Sequence, residues 1–365
     1  MSAGLISILL PDLRGGGAER VNLDLAREFA REERSVEFVL MQARGELLGE
    51  AQQNFSVVDL HARRARQLPF ALARYLRQRR PYALLAAMWP LTVIAPLANR
   101  LVGNRSRVVV SEHNTLSVQY GPRGSAHRAA MRASMKFGYR LAHARVGVSA
   151  GVVSDLSALS GMSSAEFQVI YNPVPPRPAP GHDAIAAAEA LWSTGRGARI
   201  LTVGSFKAQK NHPLLLQAFA RMDGPDARLM FVGTGAGESA LSSQAQALGI
   251  ADRVVFAGFH ADPTPFYATA DLFVLSSNYE GFGNVIVEAL ARGLPVVSTD
   301  CPSGPAEILE NGRFGRLVPV RDEAALADAM TAALAQPHDR EMLKARAHDF
   351  APEKAAKAYL KLLGC

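Results

Sequence analysis

Cysteine is nearly absent from this 365-residue chain: Cys301 lies in a loop-like Cys-Pro-Ser-Gly run and Cys365 ends the sequence. Two cysteines so placed exclude a disulfide framework and a cysteine-based zinc site, and suit a reducing cytoplasm. Long apolar runs are also missing. The longest uncharged stretch, Tyr82 to Asn99, contains Pro90 and Pro96 and barely reaches the ~18 to 20 residues of a membrane span, so it reads as a strand followed by a helix. The opening Met1-Ser-Ala-Gly-Leu-Ile-Ser-Ile-Leu-Leu has no basic leader and runs into Pro11-Asp12, which reads as a buried first strand rather than a signal peptide. Neither a solenoid-period repeat nor a low-complexity tract appears.

What is present is ordinary globular composition, 48% apolar and 20% charged, in a length that suits two domains of about 150 to 200 residues each. The formal charge of +7 and a pI near 9.6 imply attraction to something anionic: nucleic acid, a phosphorylated small molecule or an acidic membrane surface.

Short apolar runs alternate with helical patterns. Leu5 to Leu10, Val36 to Met41, Ser56 to Leu60, Ala83 to Ala87, Arg107 to Ser111 and Arg145 to Ser149 are mostly continuous rather than alternating in hydrophobicity, as strands buried on both faces of a parallel sheet are. The run from Asn172 to Gly181 carries five prolines, continues neither helix nor central strand, and reads as a linker. The pattern restarts with Ile200 to Gly204, Leu229 to Gly233, Val254 to Ala257, Leu272 to Ser276 and Pro295 to Thr299, separated by helices such as Pro213 to Met222. Two doubly wound α/β domains of Rossmann type are expected: residues 1–172, a linker over 173–182, residues 183–350, and a terminal helix over 351–365 crossing back to the first domain.

Gly15-Gly16-Gly17 follows the first strand and precedes an amphipathic helix, the place in an open parallel sheet where backbone N–H groups at a positive helix end meet a phosphate; a simple tight turn is the competing reading. Ser276-Ser-Asn-Tyr-Glu280-Gly281-Phe282-Gly283-Asn284-Val285-Ile-Val-Glu288 is the most informative segment. It puts Glu280 at the carboxyl edge of a strand, a turn with N–H groups at Gly283, Asn284 and Val285 suited to phosphate or sugar hydroxyls, and Glu288 a turn into a helix, within reach of a diol. His113, between Glu112 and Asn114, lies just past another strand. The loop Gly233-Thr-Gly235-Ala-Gly237 lacks the acidic residue about 20 positions on that nicotinamide binding requires, so it reads as a turn touching a nucleotide.

Glu280 to Glu288 with its Gly-Phe-Gly-Asn core resembles the Glu-seven-residues-Glu signature of retaining glycosyltransferase family 4, which has the GT-B fold: two facing Rossmann-like domains. Gly16-Gly-Ala-Glu-Arg20, Glu112-His113-Asn114, Val146-Gly-Val-Ser149, Ile170-Tyr-Asn-Pro173 and Gly293 to Leu309 extend the likeness over nearly the whole chain. The resemblance implies a first domain that binds the acceptor and a second that binds a nucleotide sugar, with Glu280 on the donor sugar, Glu288 on the ribose, Gly16 and Gly17 near the diphosphate and His113 in catalytic support. Lys210 matches the cation that neutralises the donor phosphates. Where the family usually has Arg after Gly204 this chain has Ser205, and Lys207 is expected to supply the charge. Cleavage of the sugar–phosphate bond develops negative charge on the leaving diphosphate and positive charge on the sugar, and Lys210 with the backbone N–H groups answers the first. The Asp-any-Asp pattern of metal-dependent sugar transferases is absent, so neither a required metal nor another cofactor is expected.

The first domain also carries a basic cluster, Arg63, Arg64, Arg66, Arg74, Arg77, Arg79 and Arg80, with Leu68, Phe70, Leu72, Tyr75 and Leu76 interleaved, and a second from Arg123 to Arg140. They read either as solvated helix faces or as a peripheral contact with anionic lipid or a lipid diphosphate on the inner face of the cell membrane. No aromatic stacking platform or recognition motif supports nucleic acid. The sequence as a whole thus points to a retaining transferase that moves a hexose or N-acetylhexosamine from a UDP-sugar to a glycan or polyprenyl-diphosphate-linked acceptor in lipopolysaccharide or capsule assembly. The alternatives are a non-catalytic nucleotide-sugar-binding module and another GT-B enzyme such as a sugar-nucleotide epimerase.

Overall fold

The computed structural model describes residues 4–192, 197–224 and 226–365. Met1–Ala3 of the opening stretch, and residues 193–196 and 225 of the expected second domain, lie outside the described residues. The chain forms two compact units, one running to Pro175 and taking in Phe350–Cys365, the other Pro176–Asp349.

In the first unit seven parallel strands, β1 (Ile6–Leu10), β2 (Val36–Leu40), β3 (Ser56–Asp59), β4 (Ala83–Ala87), β5 (Arg107–Glu112), β6 (Ala144–Gly147) and β7 (Gln168–Val169), lie in the order β3-β2-β1-β4-β5-β6-β7. Every residue of β1 and β4 is buried, the reason these runs are continuous rather than alternating. The last helix, Pro352–Leu363, packs on the helix Gly17–Arg31 and contributes Ala355, Ala356, Tyr359, Leu360 and Leu363 to the core of this unit. Its amphipathic spacing leaves one face apolar, and this is where that face is buried.

The second unit holds β8 (Arg199–Val203), β9 (Arg228–Val232), β10 (Val254–Gly258), β11 (Leu272–Leu275), β12 (Val296–Thr299) and β13 (Arg316–Val318), parallel and in the order β10-β9-β8-β11-β12-β13. In each sheet the winding reverses between two strands, β1 and β4 in the first and β8 and β11 in the second. At such a reversal the connections leave in opposite directions and a crevice opens at the carboxyl ends of the two strands.

Strand ends differ from the expected ones by a residue or two, as helix and strand termini commonly do. The helix expected at Pro213 to Met222 runs His212–Ala220. Two strands went unanticipated for a physical reason: β7 is two exposed residues, and only Val318 of β13 is fully buried, so neither edge strand carries a continuous apolar run. Pro96 sits inside the helix Leu91–Leu101, and the unit boundary at Pro175 falls within the proline-rich stretch.

Candidate functional site

The reversal in the second sheet brings together the loops that leave β8 and β11. Lys210 ends the first loop, ahead of the helix His212–Ala220, and its Nζ lies 2.7 Å from Oε1 of Glu280 on the second. Ser277 Oγ donates to the same oxygen at 2.6 Å, and Gln209 Nε2 approaches Glu280 Oε2 at 3.4 Å. The backbones are fastened as well. Ser276 Oγ donates to the Lys210 carbonyl at 2.9 Å, Asn278 N–H to the Gln209 carbonyl at 2.8 Å, and Glu280 N–H to the Pro302 carbonyl at 3.0 Å. Glu280 is only 6% exposed. A carboxylate so enclosed needs both its cation and its hydroxyl donor, because either charge left alone would carry the full desolvation penalty.

Past Glu280 the chain turns at Gly283, φ +103°, into the helix Asn284–Leu290. Phe282, expected from its place in this segment to contact the donor, is 1% exposed, and its ring is buried with the core. Its backbone is covered by Gly304, φ +97°, where a Cβ would lie 1.8 Å from the Phe282 carbonyl oxygen, so no side chain fits. Gly281 is buried, while Asn284 and Val285 are partly buried. Glu288 accepts a hydrogen bond from Tyr267 Oη at 2.9 Å, and burial raises the pKa of the Glu288 carboxyl despite that bond.

The remaining second-unit residues divide. Gly233 and Gly235 have a packing reason to be glycine: a Cβ at the first would meet the Gly204 oxygen at 2.1 Å, and one at the second the Phe206 nitrogen at 2.8 Å. Ser205 is partly buried, and its carbonyl accepts from Lys207 N–H at 2.8 Å. Lys207 is exposed and borders a pocket of about 190 Å³ with Phe206, His212, Pro213, Leu241 and Gln244. Lys210, Glu280 and Glu288 are not among the residues lining it, so this pocket does not join Lys207 to the Lys210–Glu280 pair. Among the described residues no group of three or more His, Cys, Asp or Glu is arranged to hold a metal ion.

In the first unit Gly16 caps the helix Gly17–Arg31 with extended geometry, and a Cβ at Gly17 would meet nothing within 4 Å. Arg20 of the same motif is committed elsewhere, bidentate to Glu50 at 2.6 and 3.0 Å. His113 follows β5 and is partly buried. Its Nε2 lies 3.2 Å from Ser111 Oγ, and burial lowers its pKa to about 4, so the ring is neutral at pH 7. Neighbouring Glu112 turns the other way, into the core, where it accepts from Thr92 Oγ1, from Tyr139 Oη at 2.7 Å and from Trp89 N–H at 3.1 Å. Its part is to hold the turn after β4 beside β5.

Sequence reading did not anticipate Ser277, Gln209, Tyr267 or Ser111. The first two lie within four residues of anticipated ones, a signal that proximity offered; Tyr267 comes from a helix 21 positions before Glu288, and nothing in the intervening pattern marks it.

Two parallel-sheet domains of Rossmann type, with candidate residues gathered at the carboxyl edges of their strands, define the GT-B class, and the chain is a GT-B glycosyltransferase. A family model described as Glycosyltransferase Family 4 matches residues 15–177, and one described as Glycosyl transferases group 1 matches residues 191–350. The two matches fall one after the other along the chain and together support a family 4 glycosyltransferase of GT-B fold. It is 37% identical over 169 residues to the lipopolysaccharide core biosynthesis glycosyltransferase LpsE of Rhizobium meliloti, covering 45% of this chain and 49% of that protein, and so spans about half the length of that relative. Over 280 residues it is 29% identical to the N-acetylgalactosamine-N,N'-diacetylbacillosaminyl-diphospho-undecaprenol 4-alpha-N-acetylgalactosaminyltransferase of Campylobacter jejuni, 73% of this chain and 72% of that protein. Among solved structures, Anabaena Alr3699/HepE in complex with UDP and glucose superposes with a TM-score of 0.85 over 99% of both chains at 21% identity, a likeness of fold.

Burial pushes the Glu112 carboxyl up from the ordinary 4.5 to about 7, in spite of three hydrogen-bond donors. The folded protein therefore holds this proton more tightly than the unfolded chain. The resulting stabilisation, about 3 kcal/mol, is full below pH 4.5 and lost as the pH rises through 7. Urea unfolding from pH 4.5 to 8 is expected to show this decline in the wild type and a flatter profile in Glu112→Gln; parallel profiles would contradict it.

Proposed function

We propose that this chain transfers a hexose or N-acetylhexosamine from a UDP-sugar, with retention of anomeric configuration, to a glycan or polyprenyl-diphosphate-linked acceptor in cell-surface polysaccharide assembly. The observation that carries the reading is the Lys210–Glu280 pair at the reversal of the second sheet, with Glu288 on the helix that follows. A nucleoside diphosphate sugar needs one cation for its phosphates, one acceptor for its sugar hydroxyls and one for its ribose diol. Lys210, Glu280 and Glu288 meet these needs in that order, with the N–H groups at Gly281, Gly283, Asn284 and Val285 available to phosphate oxygens. Ser205, Gly233 and Gly235 border the nucleotide, and Lys207 adds charge where the family usually has Arg. Leaving-group charge is met by these groups without a required metal. The UDP-bound neighbour and the lipid-linked acceptor in the Campylobacter relative's name support the choice of donor and acceptor class.

Calorimetric titration without added metal tests the donor site. UDP is expected to bind more tightly than GDP or ADP, and Glu288→Ala to weaken it at least about tenfold, which is 1.4 kcal/mol. Equal binding of the three nucleotides, or unchanged affinity in the variant, would contradict the reading.

An acceptor carried in a membrane calls for a chain that meets the membrane surface. Between Leu60 and Ser154 there are sixteen Lys and Arg and a single carboxylate, Glu112, which is buried. The neighbouring helices Leu68–Arg79, Leu91–Leu101 and Ser125–Gly138, with the turn that follows the last, expose Phe70, Leu97, Leu101, Phe137 and Leu141 among these basic residues. Among the described residues no helix is long and apolar enough to cross a membrane. We assign this face to peripheral contact with anionic lipid, each basic residue contributing about 1 kcal/mol near such a surface. In flotation assays the protein should rise with phosphatidylglycerol vesicles at low salt and stay behind with phosphatidylcholine; failure to float with either would remove the assignment.

A further inference from the structure

We propose that Arg177, in the proline-rich run, is a positioning residue for Glu288: together with Asp262 it fixes both the helix that carries Glu288 and the helix that carries its hydrogen-bond donor, Tyr267. The inference rests on Glu288 taking the ribose diol in the donor site proposed above.

All the contacts lie within the second unit. Three donors converge on one oxygen, Oδ1 of Asp262: Arg177 Nη1 at 2.9 Å, Thr264 N–H at 3.1 Å and Thr264 Oγ1 at 2.6 Å. Asp262 thereby ties Arg177 to the first residue of the helix Thr264–Thr269. From the same helix Tyr267 Oη donates to Glu288 Oε2 at 2.9 Å. The backbone of Arg177 is fastened as well. Arg292, just past the helix Asn284–Leu290, donates from Nη2 to the carbonyls of Arg177 and Pro178, at 2.8 Å in each case. One residue of the expected linker therefore meets the start of the Tyr267 helix with its side chain and the end of the Glu288 helix with its carbonyl.

Those helices have six and seven residues, too few to hold their own geometry in water, so tertiary contacts place them. Tyr267 engages Oε2 of Glu288, and among the described residues Oε1 accepts no hydrogen bond. Oε1 is the atom left to accept from a diol, and its direction follows from where Tyr267 holds Oε2. Charge acts in the same sense. Burial raises the Glu288 pKa, and Tyr267, Arg177 and Lys210 work against that rise, while Asp262 adds to it. The Arg177–Asp262 pair is itself partly exposed, 33% on one side chain and 58% on the other, and such pairs add little to stability. Its loss leaves the fold standing, and the effect is read at the ribose.

The test is calorimetric titration of the full chain with UDP and with 2′-deoxy-UDP, which lacks one hydroxyl of the diol. The wild type is expected to bind UDP about tenfold more tightly than the deoxy compound, as loss of a hydrogen bond to a carboxylate predicts. In Arg177→Ala and in Asp262→Ala that preference should shrink at least about threefold while 2′-deoxy-UDP binds nearly as before, and Arg177→Lys, which keeps the charge, should retain part of it. In a Glu288→Ala background the Arg177→Ala change should cost no further affinity. An unchanged preference in a folded Arg177→Ala, or equal losses for the two ligands, would overturn the proposal. A full further loss in the Glu288→Ala background would overturn it too, since Arg177 would then act on the nucleotide independently of Glu288. Failure of the donor reading looks different: a wild type that binds UDP and 2′-deoxy-UDP equally removes the ribose role of Glu288 itself.

Discussion

The ion pair between Lys210 and Glu280 is the constraint on which the second unit's site depends. It joins the loops of two adjacent strands, β8 and β11, that lead into oppositely directed crossovers. Sequence-distant loops of this kind have no local reason to stay together, and a mostly buried pair of opposite charges supplies one, because separation would strand both. Ser277 and Gln209 also contact the carboxylate, and the bonds from the Ser276 hydroxyl and from the Asn278 and Glu280 N–H groups hold the two loops together. Glu288 follows from the same geometry, since the turn at Gly283 fixes where the next helix begins.

A second consequence concerns substrate charge. Lys210 is already engaged by Glu280, so in the proposed donor site an incoming diphosphate would share the ammonium rather than meet a bare cation. The carboxylate then becomes better able to accept from a sugar hydroxyl as the lysine turns to the phosphate. In the donor site proposed above, this coupling would let one pair serve both halves of a nucleotide sugar, and it is electrostatic in origin: in an enclosed site each charge is felt more strongly than in water.

The fold was legible because parallel strands buried on both faces leave a continuous apolar signature, and because proline and glycine punctuate the breaks. β1, β4 and the helix Pro352–Leu363 are cases where pattern and structure coincide. β7 and β13 were not legible, since short edge strands are held by partners on one side and need no apolar run. At the site, Glu280, Glu288, Lys210 and His113 could be named from sequence, but what each touches could not. Tyr267 is brought in by tertiary packing, Ser277 is a loop neighbour three residues before Glu280, and Phe282 belongs to the core although its neighbours form the turn. Gly233 and Gly235 illustrate the converse: a glycine-rich loop that looks made for a ligand has close backbone approach as a sufficient cause.

The most direct measurement is a double-mutant cycle on the unfolding of the intact chain, with Lys210→Met, Glu280→Gln and the double variant. If the pair ties the two loops together, each single change strands the remaining charge and costs about 3–5 kcal/mol, and the double variant loses less than the sum by more than about 1 kcal/mol. Losses that add within about 0.5 kcal/mol would show that the two residues act independently and would contradict the account.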